Sequence, residues 1–139
     1  MLNVKGESMR EIKFRLWNDY DKKMMNWNEL LQRNLPNIFT IPSYQKWLMQ
    51  YTGLKDKNGK EIYEGDIVKK LIWNELKFEA EGDGQDYSYA KVQYIEELAS
   101  FHLVNKNNKI LWEVGEDKYN IEVAGNIYDN PELLKGEQS

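Results

Sequence analysis

The chain has 139 residues, a net charge of −4, 41% hydrophobic and 13% aromatic content, and no cysteine. Enough apolar and aromatic side chains are present for one domain, or one with a small appendage, to bury a real core, which excludes a disordered chain. The missing cysteine excludes disulfides and thiolate chemistry, and no apolar run approaches the ~20 residues of a bilayer-crossing helix.

Met1 to Ser8 lacks the apolar centre of a secretory leader, so the expectation is a soluble cytoplasmic protein with no membrane partner. Charge is unevenly placed. Residues 1–70 hold 13 Lys/Arg against 9 Asp/Glu (+4), and residues 71–139 hold 6 against 14 (−8).

From the N-terminus, Arg10 to Trp17 alternates, with Ile12, Phe14 and Leu16 on one face and Glu11, Lys13, Arg15 and Trp17 on the other. That is the period of a half-buried strand. Asn18-Asp19-Tyr20-Asp21 predicts a polar turn, and Lys22 to Trp27 the returning arm of a hairpin. Asn28 to Asn34 predicts a short helix capped by Asn28 and ended by Pro36. Asn37 to Tyr51, interrupted by Pro42, predicts a connector with Trp47 to Tyr51 extended. Next comes the segment densest in turn signals. Thr52-Gly53 breaks an apolar run, Asp56-Lys57-Asn58-Gly59 is a tight reversal, and Gly65-Asp66 releases the chain into Ile67-Val68.

Beyond Gly65 the pattern is β throughout: Asp66 to Trp73, Tyr87 to Ile95, Ser100 to Asn105, Lys109 to Val114 and Tyr119 to Tyr128 predict strands. Glu75 to Asp86 predicts an acidic loop made pliable by Gly82 and Gly84. Asn130 as N-cap and Pro131 at the first helical position predict one helical turn through Leu134. Short strands joined by polar turns predict a mainly β (β-rich α+β) fold built as a small barrel.

Three blocks in this order, Met9 to Arg15, Leu48 to Val68 and Gly125 to Leu134, resemble the YopX-like family of small proteins encoded by temperate phages and prophages. The residues carrying the resemblance include Thr52, Gly53, Leu54, Asp56, Gly59, Ile62, Gly65 and Asp66 in the second block. In the third they are Gly125, Asn126, Tyr128, Asn130 and Pro131. The resemblance implies an SH3-type barrel in a host-cytoplasmic protein, and it implies no reaction. The family opens at the residue matching Met9, so residues 1–8 are expected to be a disordered leader. An N-terminal hairpin and helix extension (9–50), an SH3-like barrel (51–134) and a tail (135–139) follow.

Catalytic groups are sparse. His102 is the one histidine and reads as a partly exposed strand residue rather than a general base. A zinc site would need at least three carboxylates beside it. Asp56 to Glu61 begins like a calcium loop, but glycine arrives at the fourth position instead of the sixth. Glu61, Glu64 and Asp66 could gather a magnesium ion for a carboxylate metal-dependent nuclease, but Asp66 has a plainer role in accepting backbone N–H groups. The acidic loop from Glu75 to Asp86 reads as solvated, binding cations weakly at most. No phosphate-cradling glycine loop is present. The expectation is no enzyme, no metal and no cofactor.

Binding is the better reading. Lys13, Arg15 and Trp17, followed by Lys22, Lys23 and Trp27, compose a candidate surface on which single-stranded nucleic acid would stack and pair its phosphates. A pI near 5.1 speaks against it. Five tryptophans in so short a chain favour an interface with a protein partner or with a second copy, a homo-oligomer. Protein interaction or self-assembly therefore ranks first and nucleic-acid binding second.

Overall fold

The computed structural model describes residues 10–33 and 38–135. It divides into two compact units, residues 1–53 and 54–139.

In the first unit, β1 (Phe14–Asn18) pairs antiparallel with β2 (Lys23–Met25), with Leu16 opposite Met25 and Trp17 opposite Met24. The turn between them is held by Asn18, whose side-chain oxygen accepts the backbone N–H groups of Tyr20 and Asp21. The hairpin is as expected, but β1 is shorter than the alternation predicts and begins only at Phe14. Helix α1 (Trp27–Arg33) starts one residue earlier than predicted, because Asn26 and not Asn28 caps it. The Asn26 side chain accepts from Glu29 N–H (2.9 Å), and the Glu29 carboxylate accepts from Asn26 N–H (3.3 Å), a reciprocal capping box. Pro36, the expected terminator, lies outside the described residues.

The predicted connector contains a short helix, α2 (Pro42–Gln45), with proline in its first turn. Strand β3 (Leu48–Lys55) then lies against the other side of β1, pairing Phe14 with Gln50 and Leu16 with Leu48. Leu16, Met25, Leu30 and Ile38 form the core of this unit, with Trp27, Tyr44, Trp47 and Leu48 packed around them.

Gly53 does not end the strand: it continues β3 with φ +86°. The end of β3 turns through residues 56–59 into β4 (Glu61–Tyr63), with Gly59 at φ +82°. Asp56 N–H donates to Lys60 O and Gly59 N–H to Asp56 O. The first sheet has the order β2-β1-β3-β4.

The second unit is built on a five-stranded antiparallel sheet that curls into a half-barrel. Its strands are β5 (Asp66–Trp73), β6 (Gln85–Ile95), β7 (Ser100–Val104), β8 (Ile110–Glu113) and β9 (Ile121–Asn126), in the order β8-β7-β6-β5-β9. Bulges at Ile67/Val68 and Leu103/Val104 bend the sheet around its core. Ile62, Val68, Ala90, Val92, Leu103, Val114 and Ile121 are the buried centre, each at most 2% exposed. The chain is thus mainly β, an SH3-type small barrel with a hairpin extension and short helices.

Two expectations fail here. The acidic segment from Glu75 is a helix, α3 (Glu75–Glu81), and the last strand begins at Ile121 rather than Tyr119, because a short helix, α4 (Val114–Asp117), runs on into a 3-10 turn at Lys118–Asn120. Asn74 caps α3 by accepting the Lys77 N–H, and Gly82 ends it in the left-handed conformation at φ +78°. Those two residues override the loop-like composition between them. The final helical turn, α5 (Glu132–Lys135), forms where predicted, but the expected N-cap side chain, Asn130, turns back to accept Asn126 N–H instead.

Candidate binding surfaces

The face predicted from the first strand does not exist as a basic and aromatic surface. Trp17 is 4% exposed, so its ring cannot be offered to a base from that face. Lys13 is mostly buried, lying over the Tyr51 ring at 4.9 Å and pairing with Glu11 at 3.4 Å. Arg15 is half-buried as well. The alternation fails because β1 is covered on both sides where Leu16 and Trp17 adjoin. Trp27 packs on the core with its ring 6.0 Å from Phe14. Only Lys22 and Lys23 stand in solvent, each beside a carboxylate: Lys22 at 2.7 Å from Asp19 and Lys23 at 3.3 Å from Glu29.

What the first unit holds instead is a cavity of about 370 Å³ beside Trp17. Trp17, Tyr20, Tyr44 and Trp47 supply its aromatic lining, and Arg33 and Asp19 its charges. Backbone bonds set these rings. Trp17 N–H donates to Trp47 O (3.1 Å), and Trp47 N–H donates to Tyr44 O (2.9 Å) as α2 ends. Asp19 accepts from Lys22 Nζ and from Trp17 Nε1 (3.2 Å), and these bonds hold its carboxyl below the ordinary value. Lys46 lies over the Trp47 ring at 4.8 Å. Arg33 is exposed, and its charge helps hold the Glu29 carboxyl below the ordinary value, after the larger effects of the Asn26 N–H and Lys23. Tyr20, Tyr44 and Trp47 carry no periodic signal, so a sequence reading misses them.

In the second unit the motif residues converge on one another. Asp56, 7% exposed, takes N–H bonds from Asn58 (2.8 Å) and Lys60 (2.9 Å) on one carboxylate oxygen and from Val123 (2.8 Å) on the other. Burial pushes its carboxyl up, but the three N–H donors outweigh this and hold it below the ordinary value. Asp66, also buried, accepts the Tyr63 N–H at 2.7 Å, the plain role read for it from sequence. Gly65, at φ +86°, donates to Val92 O and accepts from Ile127 N–H.

The last block closes the same region. Asn126 caps the turn after β9 by accepting the N–H groups of Tyr128 and Asp129 (2.9 Å each). Asn130 turns back so that its side-chain oxygen accepts Asn126 N–H at 3.2 Å. Leu54 and Ile62 contribute to the barrel core, and Thr52 and Gly53 to β3. Pro131 opens the final turn, where Leu134 N–H donates to its carbonyl.

Among the described residues, no three His, Asp or Glu side chains gather as a metal-ligand set. His102 is 8% exposed, more buried than expected, in β7 between Gln93 and Glu113 on the neighbouring strands. Ser100 Oγ lies 3.4 Å from its Nδ1, long for a hydrogen bond, and bonds to Leu98 O at 3.1 Å. The serine hydroxyl is thus turned to the backbone, which is not the arrangement of an activated nucleophile.

The apolar surface that stands out is at α3. Trp73 (59% exposed), Leu76 (77%) and Phe78 (43%) crown the end of β5 and the helix, with the Trp73 and Phe78 rings 5.2 Å apart. The Trp73 ring lies against Gly84, where a Cβ would come within 2.7 Å of it, and donates from Nε1 to Glu75 at 2.8 Å. Sequence reasoning placed a solvated loop here. The Asn74 cap and the Gly82 stop were the signals that find the helix.

These features define a small barrel protein with a hairpin extension, whose motif residues knit the backbone and whose open surfaces are aromatic. Within that class, the chain belongs to the YopX family: the family model described as YopX protein matches residues 13–135. Among solved structures it is similar to that of protein EF1440 from Enterococcus faecalis, at 24% identity and a TM-score of 0.56. The match covers 91% of this chain and 99% of that one, and at this identity the likeness is one of fold. No curated protein matches. Among the described residues, no helix is long and apolar enough to cross a membrane.

Proposed function

We propose that this YopX-family protein is a phage- or prophage-encoded accessory protein of the host cytoplasm that acts by protein contact and catalyses no reaction. Its first partner is a second copy of itself. The observation that carries this reading is the exposed Trp73–Leu76–Phe78 cluster. Apolar side chains of this size, grouped in solvent, mark contact surfaces, and aromatic residues are enriched at interface centres. Charge favours a second copy as the occupant. Residues 1–53 hold 8 Lys/Arg against 5 Asp/Glu (+3), and residues 54–139 hold 11 against 18 (−7). One copy's acidic unit therefore attracts another's basic one.

Light scattering tests it. The expected mass exceeds 16.6 kDa and rises with concentration, and L76S/F78S returns the protein to monomer with its melting temperature kept. A strict monomer at all concentrations overturns the self-assembly reading.

A further inference from the structure

The geometry points to the cavity of the N-terminal unit as a binding site for a planar aromatic anion, a nucleobase carrying phosphate. Its volume of about 370 Å³ falls in the range of small-ligand sites, and its lining has their character: aromatic walls with a few charged groups. The exposed Tyr20 and the half-buried Tyr44 and Trp47 offer ring surface on which a flat heterocycle stacks, while the covered Trp17 backs the cavity. An aromatic pocket with a carboxylate also suits an organic cation, and here the charges decide between the two. Asp19 is already engaged by Lys22 at 2.7 Å, and Lys46 occupies the Trp47 ring. Arg33 is the cation that lines the cavity, and Lys22 and Lys46 act on Asp19 from outside the lining. An entering cation is repelled by this charge, whereas an entering phosphate finds in Arg33 a planar donor fork.

This site is distinct from the α3 surface, so the inference stands or falls independently of self-association. It also relocates the nucleic-acid reading from the first strand's outer face, where Trp17 is covered, to a cavity that Trp17 lines.

The full-length protein is titrated with adenosine monophosphate, adenosine, inorganic phosphate and a short single-stranded deoxyadenosine oligomer. The readouts are tryptophan fluorescence and the indole N–H signals of Trp17 and Trp47. The expected result is that the monophosphate moves both indole signals and quenches fluorescence. Arg33 is exposed, so R33Q leaves the core untouched; it should weaken the monophosphate about tenfold while leaving adenosine unchanged. An oligomer that binds more tightly than the monophosphate names a single strand as the source, and equal affinity names a free nucleotide; both support the site. No response to millimolar monophosphate or oligomer overturns it. So does affinity indifferent to R33Q.

Discussion

The carboxylate of Asp56 accepts the backbone N–H of Val123 at 2.8 Å, across 67 residues of sequence. With the N–H bonds from Asn58 and Lys60, one side chain shapes the β3–β4 turn and fastens β9 beside it. Lys57 N–H donates to Ile121 O at 3.2 Å and strengthens the same seam. A buried carboxylate surrounded by backbone donors is stable only while every donor stays in place.

Replacing Asp56 with alanine removes the shared acceptor of three backbone N–H groups in one step. The expected loss is about 3 kcal/mol of unfolding free energy in a urea titration. Asn should cost less, because its amide oxygen still accepts.

Asp56 also makes stability depend on acid. Its folded pKa lies below the ordinary 3.8, so its contribution is complete above that value and disappears as the pH falls through the folded pKa. Melting temperatures followed below pH 4 should therefore fall more steeply in the native protein than in D56N. Parallel curves would show that the carboxylate carries no such linkage.

A side chain at residue 125 has no room. A Cβ there would lie 2.4 Å from the Asn130 side-chain oxygen and 2.8 Å from its Cβ. G125A should cost about 2 kcal/mol. Removing the obstacle in G125A/N130G should give a loss smaller than the two single losses added, by about 1 kcal/mol. Strict additivity in a denaturation cycle would rule out the clash.

Lys70 and Asp117 form a largely buried ion pair at 2.9 Å, with Lys70 Nζ 4.6 Å from the Trp112 ring centre. Breaking it by D117A leaves an uncompensated buried ammonium and should cost about 3 kcal/mol. K70M/D117L should be far closer to native, since the apolar pair removes both desolvation costs. Equal losses in the two variants would contradict this.

Gly53 and Gly65 share φ +86° but differ in surroundings. Nothing lies within 4 Å of a Cβ at Gly53, so G53V should cost only backbone strain, about 1–2 kcal/mol. Gly65 is buried, so G65V adds overpacking and should be worse. Thermal melts of both variants give the ranking.

The strand series and its turns were legible because period-two alternation and turn chemistry are local. Asp66 to Trp73 and the hairpin at Asn58-Gly59 lie where those patterns put them. Helix α3 was missed because its composition is acidic and glycine-flanked, and the cap at Asn74 is one residue against many. Trp17 was misplaced because alternation says which residues share a face, not which faces are later covered. Local turn chemistry places Asp56 in a reversal, but its bond to Val123 joins segments no local pattern connects. The cavity residues Tyr20, Tyr44 and Trp47 come from a turn, a helix and a connector, so nothing in spacing unites them.

By itself, then, the order of amino acids determined the β character, the reversals at its glycines and the family, because each rests on backbone preferences and short-range pattern. Tertiary structure alone decided which faces are covered, which carboxylate clasps distant strands and where aromatic rings meet around a cavity. Those depend on excluded volume and desolvation, which arise only when segments far apart in the chain are brought into contact.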